Sequence, residues 1–290
     1  MPDAQFHHLP RLGVVRLEGA DAIPFLQGQV TADLRLLETG DSAYAAWCTP
    51  QGRVIALMHV LRQGDALLCV LPRELAAGVA GRLGRFVLRA KVSVSDQSAS
   101  LAVAGLAGRP GSGPEAAGGE AILRLPAGRE LVVAPGDRIE PAPDTVSVAP
   151  ATAWEAACIR LGEPEVYAST SEAWIPQMLN LDLLGAVSFR KGCYPGQEIV
   201  ARTQNLGRIK RRLFRYRVSG TGLPAPGDAL YFGQSKVGEV VRSVHHEGAT
   251  ELLAVVGLEA AGAGLTALDG TVMCSPEPLP YAVPEAPECP

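Results

Sequence analysis

No single periodicity is sustained for long in this chain. Across 290 residues it breaks into short apolar runs separated by Gly and Pro turns, and strand-like and helix-like runs alternate without the long β-α-β rhythm of a doubly wound sheet. That pattern predicts an α+β architecture. Leu12–Gly19 reads as a strand with Val14 and Val15 apolar and Arg16 and Glu18 polar, followed by a short helix that Asp21 caps. Tyr44–Cys48 and Arg53–Leu61 read as a hairpin across Thr49-Pro50-Gln51-Gly52, and Ala66–Leu71 as a further strand. Arg73–Leu88 carries Leu75, Val79, Leu83, Phe86 and Val87 near helical spacing, and strands around Val92 and Leu101 follow.

From Gly105 to Pro150 the composition shifts to Gly, Pro and Ala, with a hairpin expected from Ala121–Leu125 and Glu130–Ala134 and exposed loop elsewhere. Thr152-Ala153-Trp154-Glu155 has the form of a capping box opening a helix that buries Trp154, Ala157, Cys158 and Leu161 and stops at Gly162. Beyond Arg208 the pattern becomes all-β. Phe214, Tyr216 and Val218 alternate with Arg215 and Arg217, and runs at Asp228–Phe232, Lys236–Val244, Glu251–Leu258 and around Asp269-Gly270 are divided by Pro/Gly turns, which predicts a small barrel or sandwich. The boundary is placed near Gly207, giving a first region of 1–206, loop-rich over 105–150, and a second of 207–290. The Pro-rich tail after Pro276 is expected to be a surface strap or disordered.

This length buries a sizeable core without a metal or disulfide staple. No apolar stretch approaches 18 residues, and the opening residues lack a basic start followed by an apolar block, so a cytoplasmic, non-membrane protein is expected. The six cysteines form no CxxC and the five histidines have no finger spacing, so reduced thiols and no metal site are expected.

The net charge of −4 is distributed unevenly. Arg190–Arg217 holds nine bases and one acid, a local charge of +8 within 28 residues, which leaves −12 for the remainder. Such a segment is either a solvated basic face or an attractor for a polyanion. Inside it stands the densest motif of the chain, Phe189-Arg190-Lys191-Gly192-Cys193-Tyr194-Pro195-Gly196-Gln197-Glu198. Its two glycines permit sharp turns, and a helix from about Pro195 to Gln204 leaves Cys193 just ahead of an amino end. There the dipole, Lys191 and Arg190 would lower the thiol pKa. Two readings of Cys193 stand at this point: a small buried packer, or a thiolate poised for reaction. Likewise Lys191 either salt-bridges Glu198 or serves the thiol, and Gln197 and Glu198 either satisfy turn amides or meet the donors and acceptors of a planar heterocycle.

Lys191–Glu198 resembles the signature of the YgfZ-type folate-binding family, relatives of the glycine-cleavage T-protein (aminomethyltransferase). Ile175–Asp182 upstream, Ile199–Thr203 and Gly207–Arg212 downstream, and Phe25–Asp33 and Gln51–Val54 near the start are similar to family segments. Some members carry another residue where Pro195 stands. The resemblance implies a T-protein-like folate-binding region of ferredoxin-like subdomains followed by a small C-terminal β-barrel. It also implies tetrahydrofolate, or a derivative, as cofactor. Its implied role is support for assembly or repair of iron–sulfur enzymes, including those that modify tRNA. Partners would then be folate, iron–sulfur enzymes or assembly factors, and tRNA as a third class. Cys193 and Lys191 are the implied catalytic pair, with Lys191, Gln197, Glu198, Arg202, Arg53 and Gln29 as folate-binding candidates.

One departure bears on activity. Where the T-protein carries an Asp in the strand after its Gly-rich turn, this chain has Ala56 and Leu57. Without that carboxylate, aminomethyl transfer lacks its proton-handling group, which argues against a glycine-cleavage enzyme and leaves turnover of any kind undecided. Two alternatives therefore stand beside the accessory role: a one-carbon or demethylating transferase using Glu198 or Asp33 as its acid, and a tRNA-binding module using Arg208–Arg217.

Overall fold

A computed structural model describes residues 4–108, 121–136, 138–140, 146–205 and 209–284. In chain order the first elements are β1 (Ala4–His8), β2 (Leu12–Glu18), α1 (Ala22–Gln27), β3 (Ser42–Cys48), β4 (Val54–Gln63), β5 (Ala66–Pro72), α2 (Arg73–Gly84) and β6 (Ser93–Asp96). Next come β7 (Leu101–Ala107), β8 (Ala121–Leu125), β9 (Arg129–Pro135), β10 (Val146–Val148), α3 (Ala151–Arg160) and α4 (Gln197–Asn205). The chain continues with β11 (Arg211–Gly220), β12 (Ala229–Phe232), β13 (Ser235–His246), β14 (Ala249–Gly257), β15 (Leu265–Ala267) and β16 (Val272–Glu277). Among the described residues no helix is long and apolar enough to cross a membrane.

These strands form two five-stranded sheets, ordered β3-β4-β5-β2-β6 and β10-β1-β7-β9-β8, and a closed barrel, β11-β14-β13-β12-β15-β16. The α+β class with a C-terminal barrel is the observed one. Strand β5 is central in its sheet and buried along its whole length, which is why Ala66–Pro72 reads as a continuous apolar run instead of an alternating one. Helix α2 lies against β2, β5 and β6, burying Ala76, Val79 and Leu83. It ends at Gly84, short of the expected Leu88; Phe86 and Leu88 lie beyond it, 53% and 87% exposed, so their apolar spacing did not mark a buried face.

Among the described residues of the Gly/Pro/Ala-rich stretch most lie in regular structure, and much of the expected exposed loop lies outside the described residues. The expected hairpin is β8 and β9, and β10 adds parallel to β1 at the sheet edge. Two other local expectations are corrected. Asp21 precedes α1, but its carboxylate accepts from the Lys91 amide at 2.6 Å and makes no cap bond. Helix α3 begins at Ala151, so Thr152 lies inside it, and Glu155 is an ion-pair partner of Arg242. Arg242 follows the irregularity in β13 between Val240 and Arg242, where an extra residue re-aims the side chain.

By compactness the chain divides into two units: Met1–Trp47 with Ala56–Trp154 and Arg190–Tyr194, and Cys48–Ile55 with Glu155–Phe189 and Pro195–Pro290. Gly207, the boundary expected from sequence, lies outside the described residues, as do Arg208 and Cys289. In the second unit Tyr216, Leu230, Val240, Leu252, Leu265 and Val272 fill the barrel. The described part of the tail is a strap: Tyr281 donates its hydroxyl to the Gly162 carbonyl at 2.9 Å. Gly162 has φ +69, and a Cβ there would lie 2.6 Å from the Tyr281 hydroxyl oxygen, so both backbone and packing demand glycine.

The segment Ile175–Asp182 joins the barrel through a buried ion pair. The Arg212 guanidinium donates to both Asp182 carboxylate oxygens at 2.7 and 2.9 Å, with both side chains 4% exposed, and also to the Gln177 carbonyl. Asn180, in a left-handed conformation at φ +56, donates to the Leu213 carbonyl. Removing one member of such a pair leaves a buried charge unmatched. Asp182→Asn is expected to lower unfolding free energy by about 3–5 kcal/mol in urea titrations, and pairing Asp182→Leu with Arg212→Met is expected to recover most of that loss.

Candidate functional site

The site is built around one cation. Helix α1 ends at Gln27, and the chain then turns through Gly28–Ala32 before a short helical turn at Leu34–Leu36. This turn is braced from several sides. The Gln27 side chain donates to the Asp33 carboxylate at 2.9 Å and accepts from the Leu34 amide at 2.7 Å. Thr31 exchanges two hydrogen bonds with Ala46, and Val30 bridges to Trp47. The folding of the turn leaves the carbonyls of Gln27, Val30 and Ala32 facing one point, and the Lys191 ammonium occupies it, donating to them at 2.6, 2.6 and 2.7 Å. Carbonyls at a helix end and in a non-repetitive turn lack partners of their own, and the ammonium supplies them.

Lys191 is 5% exposed, and burial lowers its pKa to about 8; the Asp33 carboxylate opposes that shift and the Arg35 guanidinium adds to it. Three residues on, Tyr194 is also buried, its ring centroid 5.4 Å from the ammonium nitrogen. Between these anchors Gly192 and Cys193 face outward. Cys193 is exposed, whereas the other described cysteines, Cys48, Cys69, Cys158 and Cys274, are buried. Burial raises the thiols of Cys48 and Cys69 to about 12 and that of Cys274 to about 11. The packing alternative for Cys193 is thereby overturned, and it holds for those four.

The second half of the signature belongs to the second unit. Gly196 has φ +83, and a Cβ there would meet the Thr49 carbonyl oxygen at 2.5 Å and the Gly52 Cα at 2.7 Å. The Thr49–Gly52 turn and the signature are thus in backbone contact, which only glycine at 196 permits. Helix α4 starts at Gln197, two residues later than expected, and Gln177 donates to its Val200 carbonyl at 2.7 Å.

The sequence-derived candidates separate into two groups. Lys191, Cys193 and Gln29 lie in the first unit, Gln29 next to the Val30 carbonyl that Lys191 binds; Arg53, Gln197, Glu198 and Arg202 lie in the second. Glu198 pairs with Arg202 at 2.9 Å, both well exposed, so the alternative of a Lys191–Glu198 bridge is not realised. Lys191 also has no proton left for a folate carboxylate or a thiolate, since an ammonium has three and all are donated to carbonyls. Arg53 is exposed and donates to the Ala173 carbonyl. The Gln29 side-chain oxygen is buried with no donor.

Half of the described bases of the basic segment are ion-paired. Arg212 is paired with Asp182, Arg215 with Glu251 and Glu277, Arg217 with Glu277, and Arg202 with Glu198. Among the described residues of the segment, Arg190, Lys210 and Arg211 are the exposed bases outside these pairs. Arg215 and Arg217, which alternate along β11, thus have carboxylate partners within the second unit. Asp33, considered as an alternative acid, is held by Arg35 at 2.9 Å and its pKa is lowered to about 2. Ala56 and Leu57 are buried in β4 and bring no carboxylate. Missed by sequence reasoning were the carbonyl seat and the Tyr194 anchor; the co-occurrence of Phe25–Asp33 with the signature was the signal that could have linked them.

No protein-family model matches the chain. The tRNA-modifying protein YgfZ of Escherichia coli O157:H7 is 30% identical over 93% of this chain and 90% of its own length. The chain belongs to the YgfZ family. YgfZ proteins of Cronobacter sakazakii and Yersinia enterocolitica are each 28% identical, over 93% and 94% of the chain respectively. Among solved structures, the glycine cleavage system aminomethyltransferase T of Bartonella henselae superposes with a TM-score of 0.76, covering 98% of this chain and 88% of that one at 15% identity. This YgfZ-family chain therefore has the T-protein fold.

A carboxylate with a depressed pKa stabilises the fold above its unfolded value and loses that contribution as pH falls through its folded value. For Asp33 the window runs from about 3.8 down to about 2. Between pH 5 and pH 2 the urea midpoint of the native chain is expected to fall further than that of Asp33→Asn, the difference opening within that window.

Proposed function

We propose that this chain is a cytoplasmic, tetrahydrofolate-binding accessory protein of tRNA modification that supports the assembly or repair of iron–sulfur enzymes, with Cys193 as its functional thiol. The observation that carries the reading is the presentation of Cys193: an exposed sulfur between two buried anchors, in a chain whose other described cysteines are all buried. The relatives' designation as tRNA-modifying proteins supports the pathway.

The T-protein fold supports the folate. A pterin edge carries N–H donors, and the buried, unpartnered Gln29 side-chain oxygen is a fitting acceptor for one of them. Arg53, Gln197, Glu198 and Arg202, in the second unit, remain folate-binding candidates on the strength of the sequence resemblance alone. Lys191 is reassigned from ligand contact to support of the loop, because its protons are committed. When bound, tetrahydrofolate supplies a reduced pteridine able to carry a one-carbon unit. The transferase alternative is not favoured: Asp33 stays ionised beside Arg35 across the range where general acid–base catalysis operates, and Glu198 is an exposed partner of Arg202.

Complementation in a null strain tests the thiol: Cys193→Ala is expected to leave activity of the tRNA-modifying iron–sulfur enzymes at the null level, and full rescue would remove the sulfur from the mechanism. Titration with tetrahydrofolate tests the ligand. Gln29→Ala is expected to weaken binding about tenfold, the equivalent of one lost hydrogen bond, while Cys193→Ala binds as the native protein does. Unaltered affinity in the Gln29 variant would exclude that contact.

A further inference from the structure

We infer that Lys191 is the positioning residue of the signature: the seating of its ammonium on the Gln27, Val30 and Ala32 carbonyls sets where the Gly192-Cys193 loop stands. This goes beyond the proposed function and does not depend on it, since it concerns how the loop is held and not what the sulfur does.

Four observations carry it. The valence of the group is matched, with three protons to three converging carbonyl oxygens at 2.6–2.7 Å. A compact ammonium suits a point of convergence; a planar guanidinium, with five donors in a rigid fork, does not. The seat is stiff, because Gln27 ties its two ends together through Asp33 and Leu34 while Thr31 and Val30 fasten its middle to Ala46 and Trp47. The loop has little support of its own: a Cβ built on Gly192 would touch nothing within 4 Å, and Cys193 is exposed. Its position therefore rests on the residues flanking it, Lys191 and the buried Tyr194, whose ring faces the same ammonium.

Charge is integral to the seat. A neutral amine has two protons and a lone pair, so one of the three carbonyls would face a lone pair instead of a donor. The charged groups acting on the ammonium are the Asp33 carboxylate, which favours its protonated form, and the Arg35 guanidinium, which opposes it. Burial brings the deprotonation to about pH 8, so the seat is filled at neutral pH and loosens on the alkaline side.

Hydrogen exchange followed by mass spectrometry on the full chain tests this, reading peptides that span 27–34 and 190–194 and correcting for base-catalysed exchange. In the native protein both segments are expected to be protected at pH 6.5 and to lose protection together as pH passes about 8. In Lys191→Met both are expected to exchange at least tenfold faster at pH 6.5, with no alkaline transition, and Lys191→Arg is expected to behave like Lys191→Met. Should Lys191→Met fail to fold, Gln27→Ala decides: it leaves Lys191 intact, removes the brace, and is expected to deprotect 190–194 as well as 27–34. Native-like protection of 190–194 in folded Lys191→Met, or in Gln27→Ala, would overturn the positioning role, and a native profile without an alkaline transition would overturn its dependence on charge. Tetrahydrofolate titration separates the two proposals. A folded Lys191→Met that keeps its exchange protection but loses folate would return Lys191 to ligand binding, whereas failure of the Cys193 complementation test leaves the exchange result untouched.

Discussion

A single buried ammonium organises the signature. An unmatched charge inside a protein is costly, and an unpartnered backbone carbonyl is costly too. Placing the Lys191 nitrogen among three carbonyls resolves both at once, and it does so between segments about 160 residues apart in sequence. The chain around Gly28–Ala32 could not leave those oxygens buried without the cation, and the cation could not be buried without them. Cys193 stands where it does because two residues earlier the backbone is held in this way.

The same logic, applied to arginine, governs the barrel. The sequence concentrates positive charge between Arg190 and Arg217, yet the fold returns the acids that were scattered elsewhere. Asp182, Glu251 and Glu277 converge on Arg212, Arg215 and Arg217. Arg242 finds Glu155 and Glu165 in the same manner. A basic run in sequence is thus a set of carboxylate partners in space, and what remains exposed is much smaller than the local charge implies. Pairs this deep give geometric definition; their net contribution to stability is smaller than their number suggests, since desolvation offsets much of the attraction.

Shared architecture with the aminomethyltransferase leaves the chemistry open, because function resides in particular side chains placed on a fold. Here β4 carries Ala56 and Leu57 in its buried run, and the acids nearest to consideration are committed: Asp33 to Arg35 and Glu198 to Arg202. What distinguishes this chain is an outward thiol on a Gly-containing loop, a group suited to nucleophilic or metal-contacting chemistry and not to proton transfer on a substrate nitrogen.

By itself the sequence determined the class of the fold, most of its strands and the location of the signature, because alternation in β11, the unbroken apolar run of β5 and the turn at Thr49–Gly52 are local patterns whose meaning needs no partner. Its errors fell where local signals compete with distant ones. Thr152 and Glu155 have the spacing of a cap, yet Glu155 pairs with Arg242, 87 residues away. Phe86 and Leu88 have helical spacing, yet nothing covers them enough to extend α2. The roles inside the signature were of the same kind. Lys191 and Cys193 could be named from their neighbours in the chain, but which of them turns inward was decided by backbone carbonyls. Every residue type presents the same carbonyl, so its position leaves no mark in the sequence and exists only once the chain has folded.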